Sequence, residues 1–194
     1  TYEDRHPDVR VEISADSGLP ALIAGKTDVS LGSYYRPDPR LFALPAGICY
    51  SFIMATKKYE RKYGLPETIE DLKHHTILLR YTQNLGYSNK LENGTETYYI
   101  DRGHRVQHGD AAACREMLLA GEGLAIDLTP GFVSDYLASG FVFPVLKGWH
   151  REPWHYHVYC RAGSQDDKVL RELMAYVERG VFATFANQWQ FWYG

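Results

Sequence analysis

Short apolar stretches of strand type alternate with stretches of helical periodicity along much of the chain. Such alternation predicts α/β lobes with largely parallel sheets. The Asn93-Gly94 dipeptide additionally predicts a hairpin turn among the middle strands. Strands are predicted at residues 9–14, 28–32, 41–44, 50–56, 76–79, 98–100, 105–107, 124–126, 141–146 and 154–160, and helices at 18–24, 57–63, 68–72, 111–120, 131–138 and 166–179.

Residues 108–130 are the most informative part of this pattern. Asp110 is a capping residue in front of good helix formers, and Gly121 and Gly123 end the predicted helix. A short buried strand follows, and Thr129 precedes a proline that opens the next helix. Because open α/β sheets bind ligands at their strand ends, the segment predicts a ligand-sensing site and requires no catalytic residue.

Length and composition restrict the class of protein. A chain of 194 residues, 45% hydrophobic and 23% charged, can bury one core or two small lobes. Its net charge of −3 gives no sign of a surface that binds phosphate backbones directly. The apolar runs are too short for a membrane span. Three widely spaced cysteines predict buried, reduced thiols in a cytoplasmic protein.

No motif for catalysis, a cofactor or a metal stands out. His150, His155 and His157 are close enough to suggest a metal site, but no cysteine completes a zinc pattern, so a strand edge is the favoured interpretation. The chain lacks a Gly-x-Ser-x-Gly elbow, and Gly121 and Gly123 follow a helix instead of the strand that a dinucleotide loop needs. We therefore expect no catalytic residues, no cofactor and no metal.

Polar side chains at predicted strand ends and helix starts are the candidate ligand contacts. A helix N-terminus offers N–H groups to an anion, and arginine binds a carboxylate with two hydrogen bonds. Each residue alone could equally be a turn residue that satisfies its own backbone. The predicted effector-binding residues are Ser33, Tyr34, Arg36, Arg80, Thr82, Gln83, Asp110, Asp127 and Thr129.

Several segments, in their order and spacing, resemble the effector-binding domain of LysR-type transcriptional regulators. Ala24-Gly-Lys-Thr-Asp-Val-Ser-Leu31 is similar to a helix end and the strand that follows it in that family. Ala120-Gly-Glu-Gly-Leu-Ala-Ile126 is similar to the Gly-x-Gly-hydrophobic signature. Further similarity lies in residues 6–12, 65–72, 93–103 and 140–146, so that the resemblance extends from about residue 6 to residue 179.

The resemblance implies the type 2 periplasmic-binding-protein fold, with two Rossmann-like α/β lobes joined by two hinge crossings and a small molecule bound between them. Residues 1–81 and 150–180 are then expected to form lobe I, and residues 82–149 lobe II, with a crossing near residues 80–86. The first strand of lobe I is expected to be missing, which would leave the domain N-terminally incomplete. Residues 181–194 are expected to form an aromatic tail, either packed on its own domain or available to a partner.

The resemblance also implies a function. A small-molecule effector, anionic or aromatic, would shift the domain between two states and so change DNA binding by an N-terminal helix-turn-helix domain that this chain lacks. Such domains form homodimers or tetramers in the cytoplasm and do not bind membranes. Two alternatives remain at this point: a solute-binding protein of a transport system with the same fold, and a small α/β enzyme.

Overall fold

The computed structural model describes residues 2–14, 18–33, 38–81, 89–186 and 188. Four predicted site residues, Tyr34, Arg36, Thr82 and Gln83, lie outside these ranges. By their contacts, the described residues divide into two units. Unit 1 comprises those of Thr1–Cys49 and Trp154–Ala186, and unit 2 comprises those of Tyr50–Pro153 together with Gln188.

Strands and short helices alternate in the described residues, as the sequence pattern predicts. The strands are β1 (Ser30–Gly32), β2 (Leu41–Cys49), β3 (Met54–Thr56), β4 (Thr76–Arg80), β5 (Lys90–Asn93), β6 (Glu96–Tyr99), β7 (Arg105–Gly109), β8 (Leu124–Ala125), β9 (Val142–Pro144) and β10 (Trp154–Arg161). The α-helices are α1 (Leu19–Ile23), α2 (Lys57–Tyr63), α3 (Ala111–Ala120), α4 (Ser134–Ala138) and α5 (Lys168–Ala186), and 3-10 helices cover Glu3–Arg5, Ile69–His74, Pro130–Val133 and Ser164–Asp166.

Unit 1 contains an antiparallel sheet with the strand order β1-β10-β2. The long ladder between β10 and β2 runs from the Trp154–Cys49 pair to the Arg161–Leu41 pair. Helix α5 packs against this sheet, where Met174 joins Val158 in a small apolar core. An amphipathic helix over one sheet face therefore forms this apolar cluster of the unit.

Unit 2 contains a mixed five-stranded sheet with the order β7-β4-β8-β3-β9. Strand β4 lies parallel to both β7 and β8, whereas β3 is antiparallel to β8 and β9. Successive β4 residues enter different clusters, because strand side chains alternate between the two sheet faces. Ile77 and Leu79 pack into one apolar cluster, and Leu78 packs into the other with Cys114 and Leu118 of α3.

Helix α3 begins and ends as its sequence predicts. The Asp110 carboxylate accepts a hydrogen bond from the Ala113 N–H at 2.8 Å, which caps the helix. Gly121 ends it with a φ of 72°, the left-handed conformation that glycine adopts without strain. Gly123 has another role, since a Cβ placed there would lie 2.7 Å from the Thr76 carbonyl oxygen. The absence of a side chain therefore lets this segment approach β4.

Several predictions about local structure are wrong. Residues 9–14 do not form a strand, because they pair with no other strand among the described residues. The Val11 N–H donates instead to the Glu3 carboxylate at 2.7 Å. The predicted hairpin turn at Asn93-Gly94 is confirmed, but it joins β5 to β6, and the predicted strand at 105–107 lies outside the hairpin because β7 belongs to the five-stranded sheet. The sheets are not largely parallel, because the ladders of unit 1 and both ladders of β3 are antiparallel.

The boundaries of the two units and of the tail also differ from expectation. Residues 50–81 belong to unit 2, because β4 forms ladders with β7 and β8, which both follow it in the chain. Arg80 is therefore the last residue of a strand inside unit 2, and the first passage between units comes after Cys49. Residues 181–186 continue helix α5 and are not part of a separate tail.

Replacement of Gly123 by alanine should destabilise the protein by about 2 kcal/mol, the usual cost of overpacking a closed site. The added methyl group would meet both the Thr76 carbonyl and the Leu78 side chain at under 3 Å. Gly131→Ala is the matched control, because a Cβ at that position has no atom within 4 Å. Urea unfolding followed by circular dichroism measures both variants, and equal stabilities would contradict the close approach.

The stability of the fold should fall in mild acid because of His75. This side chain is buried, and its Nδ1 lies 2.8 Å from the hydroxyl oxygen of Tyr59. Burial lowers the pKa of His75 below its ordinary value of 6.5, so that the unfolded chain binds a proton more readily than the folded one. The free energy of unfolding should therefore decrease as the pH falls below 6.5.

The His75→Asn variant isolates this contribution, since the amide can keep a partner for Tyr59 but does not titrate. Urea unfolding measures the free energy of unfolding between about pH 7.5 and pH 5, where histidine titrates. This free energy should depend less on pH in His75→Asn than in the wild type. The exposed neighbour His74 supplies the control variant His74→Asn, which should keep the steeper slope. A wild-type slope in His75→Asn would exclude His75 as the source.

Candidate functional site

Three strand ends of unit 2 meet at one edge of its sheet. Strands β7, β4 and β8 are parallel, and the register pairs Arg80, the last residue of β4, with Gly109, the last residue of β7. Asp110 follows β7 directly and begins α3. Asp127 comes two residues after the end of β8. This carboxyl edge is the place where open α/β sheets bind ligands.

Arg80, Asp127 and Arg151 form a buried charge cluster at this edge, which we call the arginine–aspartate cluster. The Asp127 side chain is 3% exposed, and its neighbours in sequence, Ile126 and Leu128, are fully buried. The Arg151 Nη1 atom is in direct contact with Asp127 Oδ1. The Arg80 Nε atom lies 3.5 Å from Asp127 Oδ2, a longer contact than an ordinary N–H···O hydrogen bond.

Burial raises the pKa of the Asp127 carboxyl, and the guanidinium groups of Arg151 and Arg80 oppose that shift. A carboxylate at such a position is tolerated because it is paired with cations. Two guanidinium groups thus face the single buried carboxylate of Asp127. A guanidinium group can also bind a further carboxylate through two hydrogen bonds.

The backbone near Arg151 fixes one side of the cluster. The Arg151 N–H donates to the Ser51 carbonyl at 2.8 Å, and His150 forms an isolated antiparallel bridge with Phe52. The hydroxyl group of Ser51 is fully buried and has no hydrogen-bond partner among the described residues. The segments that contain Ser51 and Arg151 are therefore joined by main-chain hydrogen bonds beside the charge cluster.

The predicted site residues separate into three groups. Arg80 and Asp127 are brought together as an ion pair. Asp110 is at the same edge, where its carboxylate caps α3, and Thr129 is buried two residues after Asp127, before the 3-10 helix of Pro130–Val133. Ser33 follows β1 and belongs to unit 1.

Sequence reasoning missed Arg151 and Ser51. A carboxylate directly after a buried strand does indicate that a cation must lie near it. The chain has 21 lysines and arginines, however, and no spacing selects the one that is close in space. Arg151 lies beside Asp127 because main-chain hydrogen bonds join residues 150–151 to Ser51 and Glu92, which are far away in sequence.

The chemistry of the other candidate groups does not favour a reaction or a metal. Burial raises the pKa of the Cys114 thiol to about 11, which keeps it protonated and poorly nucleophilic. His150 Nδ1 is hydrogen-bonded to the Arg151 carbonyl, and His157 Nδ1 to the His155 carbonyl. The described part of the chain contains no group of three or more His, Cys, Asp or Glu residues that could hold a metal ion. Within it, no helix is long and apolar enough to cross a membrane.

The two arginines should contribute unequally to stability. Arg151→Gln should cost about 3 kcal/mol, because it removes the closer and more deeply buried partner of Asp127. Arg80→Gln should cost clearly less, since its contact is longer and its side chain is 13% exposed. Chemical unfolding of both variants at neutral pH measures the difference. Equal losses would mean that the two contacts are equivalent.

Comparison with known proteins agrees with this geometry. Residues 1–181 match the family model described as the LysR substrate binding domain. An HTH-type transcriptional regulator of Xanthomonas campestris is 28% identical over 155 residues, which cover 76% of this chain and 44% of that protein. The HTH-type transcriptional regulator YcaN of Escherichia coli is 26% identical over 92% of this chain and 59% of its own length. The chain thus spans about half the length of these relatives.

Solved structures show the same fold. The regulatory domain of CrgA from Neisseria meningitidis matches with a TM-score of 0.73 and 20% identity, over 95% of this chain and 88% of that one. Full-length AphB from Vibrio cholerae matches with a TM-score of 0.72 and 20% identity, over 95% and 61%. The predicted type 2 periplasmic-binding-protein fold is therefore confirmed. The chain belongs to the LysR substrate binding domain family.

Proposed function

We propose that this chain is the ligand-sensing regulatory part of a LysR-type transcriptional regulator and that it binds a small anionic effector through Arg80. The observation that carries the proposal is the arginine–aspartate cluster at the carboxyl edge of the unit 2 sheet. The Arg80 side chain at that edge is 13% exposed, and its guanidinium can bind a carboxylate in a region of low dielectric, where such a contact is strong.

Names of relatives support the regulatory role. The curated relatives are named HTH-type transcriptional regulators, and the solved structure of CrgA is described as that of a regulatory domain. In the whole protein, a helix-turn-helix domain would bind DNA, and the effector would change that binding through its different affinity for two states. The whole protein would act in the cytoplasm as a homodimer or tetramer.

Asp110 and Thr129 would contribute the rest of the contact surface at this edge. The N-terminus of α3 offers main-chain N–H groups and the positive end of its dipole to an anion. The effector-binding roles of Ser33, Tyr34, Arg36, Thr82 and Gln83 remain predictions from sequence. Transport and enzymatic functions are less well supported, because the relatives are named as regulators and the nearby Cys114 thiol stays protonated.

Binding of carboxylates should depend on Arg80. We expect at least one member of a panel of small carboxylates, including benzoate, salicylate, succinate and citrate, to raise the melting temperature of the wild type in a saturable manner. At ten times Kd the rise should be about 4 °C. Arg80→Gln should lose this response because it removes the bidentate donor.

Arg61→Gln is the matched control, since Arg61 is an exposed residue in the last turn of α2. It should respond to the panel as the wild type does. Equal responses of Arg80→Gln and the wild type would contradict a site at Arg80. With the full-length protein, the active carboxylate should also change the affinity for promoter DNA, measured by fluorescence anisotropy at constant salt.

A further inference from the structure

The two arginines of the arginine–aspartate cluster hold the same carboxylate in different ways. Arg151 is 6% exposed and touches Oδ1 of Asp127, whereas Arg80 is 13% exposed and lies 3.5 Å from Oδ2. Arg151 therefore forms the tight partner, and Arg80 is the looser partner nearer to solvent. A carboxylate that approaches from solvent would meet Arg80 before Arg151.

Asp127 carries the same chemical group, a carboxylate, as the proposed effector. Its side chain ends in a carboxylate, and that carboxylate already faces the guanidinium of Arg80. An external carboxylate and the Asp127 carboxylate would thus seek the same donors. A group tethered to the chain competes at a high effective concentration, so it weakens the binding of any simple anion.

We propose that Asp127 is an internal substitute for the carboxylate of the ligand and that an incoming carboxylate takes over Arg80 from it. The proposal rests on the proposed function, which supplies a carboxylate as the natural ligand. This ligand would need contacts beyond Arg80 to compete with Asp127. In the absence of the ligand, Asp127 keeps Arg80 in position and partly neutralised. With the ligand bound, Asp127 retains Arg151 as its partner.

This exchange has a path to the main chain. Arg151 is hydrogen-bonded through its N–H to the Ser51 carbonyl, and His150 is bridged to Phe52. A change in the charge around Asp127 acts on the side chain of Arg151 and therefore on this pair of segments. Asp127 and Arg151 are thus positioning residues for Arg80 and connect its occupancy to residues 50–52 and 150–151.

Rescue by formate tests the proposal without knowledge of the natural ligand. Asp127→Ala removes a carboxylate about the size of formate and leaves two buried arginines without that anion. Sodium formate, exchanged for sodium chloride at constant ionic strength, should raise the melting temperature of this variant by about 4 °C at ten times Kd. The wild type should need a roughly tenfold higher formate concentration for the same response.

Three further variants make the outcome decisive. Asp127→Asn keeps the side-chain shape without the charge and should also respond at lower formate concentrations than the wild type. Asp135→Ala removes an exposed carboxylate in the first turn of α4, away from the proposed contact residues, and should respond like the wild type. The double variant Asp127→Ala/Arg80→Gln should need a higher formate concentration for the same rescue than Asp127→Ala, because only Arg151 then remains to bind formate. If either single Asp127 variant fails to fold, its refolding yield against formate concentration gives the same comparison.

The results separate the two proposals. Equal formate responses in the wild type and both Asp127 variants would overturn the role of Asp127, as would rescue of the double variant at the same formate concentration as Asp127→Ala. Loss of every response to the carboxylate panel in the wild type, together with formate rescue of Asp127→Ala, would refute the proposed effector site but support the internal substitute. Hydrogen exchange at residues 50–52 and 150–151 should change more with formate in Asp127→Ala than in Asp127→Ala/Arg80→Gln, whereas equal changes would show that Arg80 has no part in this connection.

Discussion

The need to pair a buried carboxylate is the constraint around which unit 2 is arranged. Asp127 follows a buried strand, and its side chain is only 3% exposed. An unpaired charge at such a position would destabilise the fold strongly. Arg151 meets that need from a distant part of the sequence, and Arg80 from the neighbouring strand. The arginine–aspartate cluster lies at the sheet edge. The segment that contains Ser51 and the 3-10 helix that follows Thr129 adjoin it in the chain or through hydrogen bonds.

The parallel arrangement of β7, β4 and β8 makes the same edge suitable for a ligand. Parallel strands bring their carboxyl ends together, so residues far apart in sequence become neighbours there. The apolar residues of β4 are buried on both faces, which makes the strand a rigid support for Arg80. A sensor needs such a support, because a small difference in affinity must be converted into a change of state.

The groups described at this edge suit the binding of a ligand better than the catalysis of a reaction. A protonated Cys114 and carboxylates that cap or pair do not supply an activated nucleophile. The two guanidinium groups beside the buried acid instead suit the anion binding that we propose. Relatives named as transcriptional regulators use the same fold, and the proposed role of Asp127 adds a way in which an unoccupied site keeps its arginine in place.

The sequence by itself determined the elements whose signals are local. Helix α3 has its capping Asp110 and its terminal Gly121 within a dozen or so positions, which suffices because capping and left-handed glycine act over single turns. The order of short sequence motifs likewise indicated the family. The apolar runs before Arg80 and Asp127 indicated that each of these residues lies at or just after the end of a strand. Tertiary structure alone decided which strand lies beside β4, where the units divide, and that Arg151 is the close partner of Asp127. These depend on contacts between residues far apart in sequence, and periodicity carries no record of which distant segment returns to a given edge.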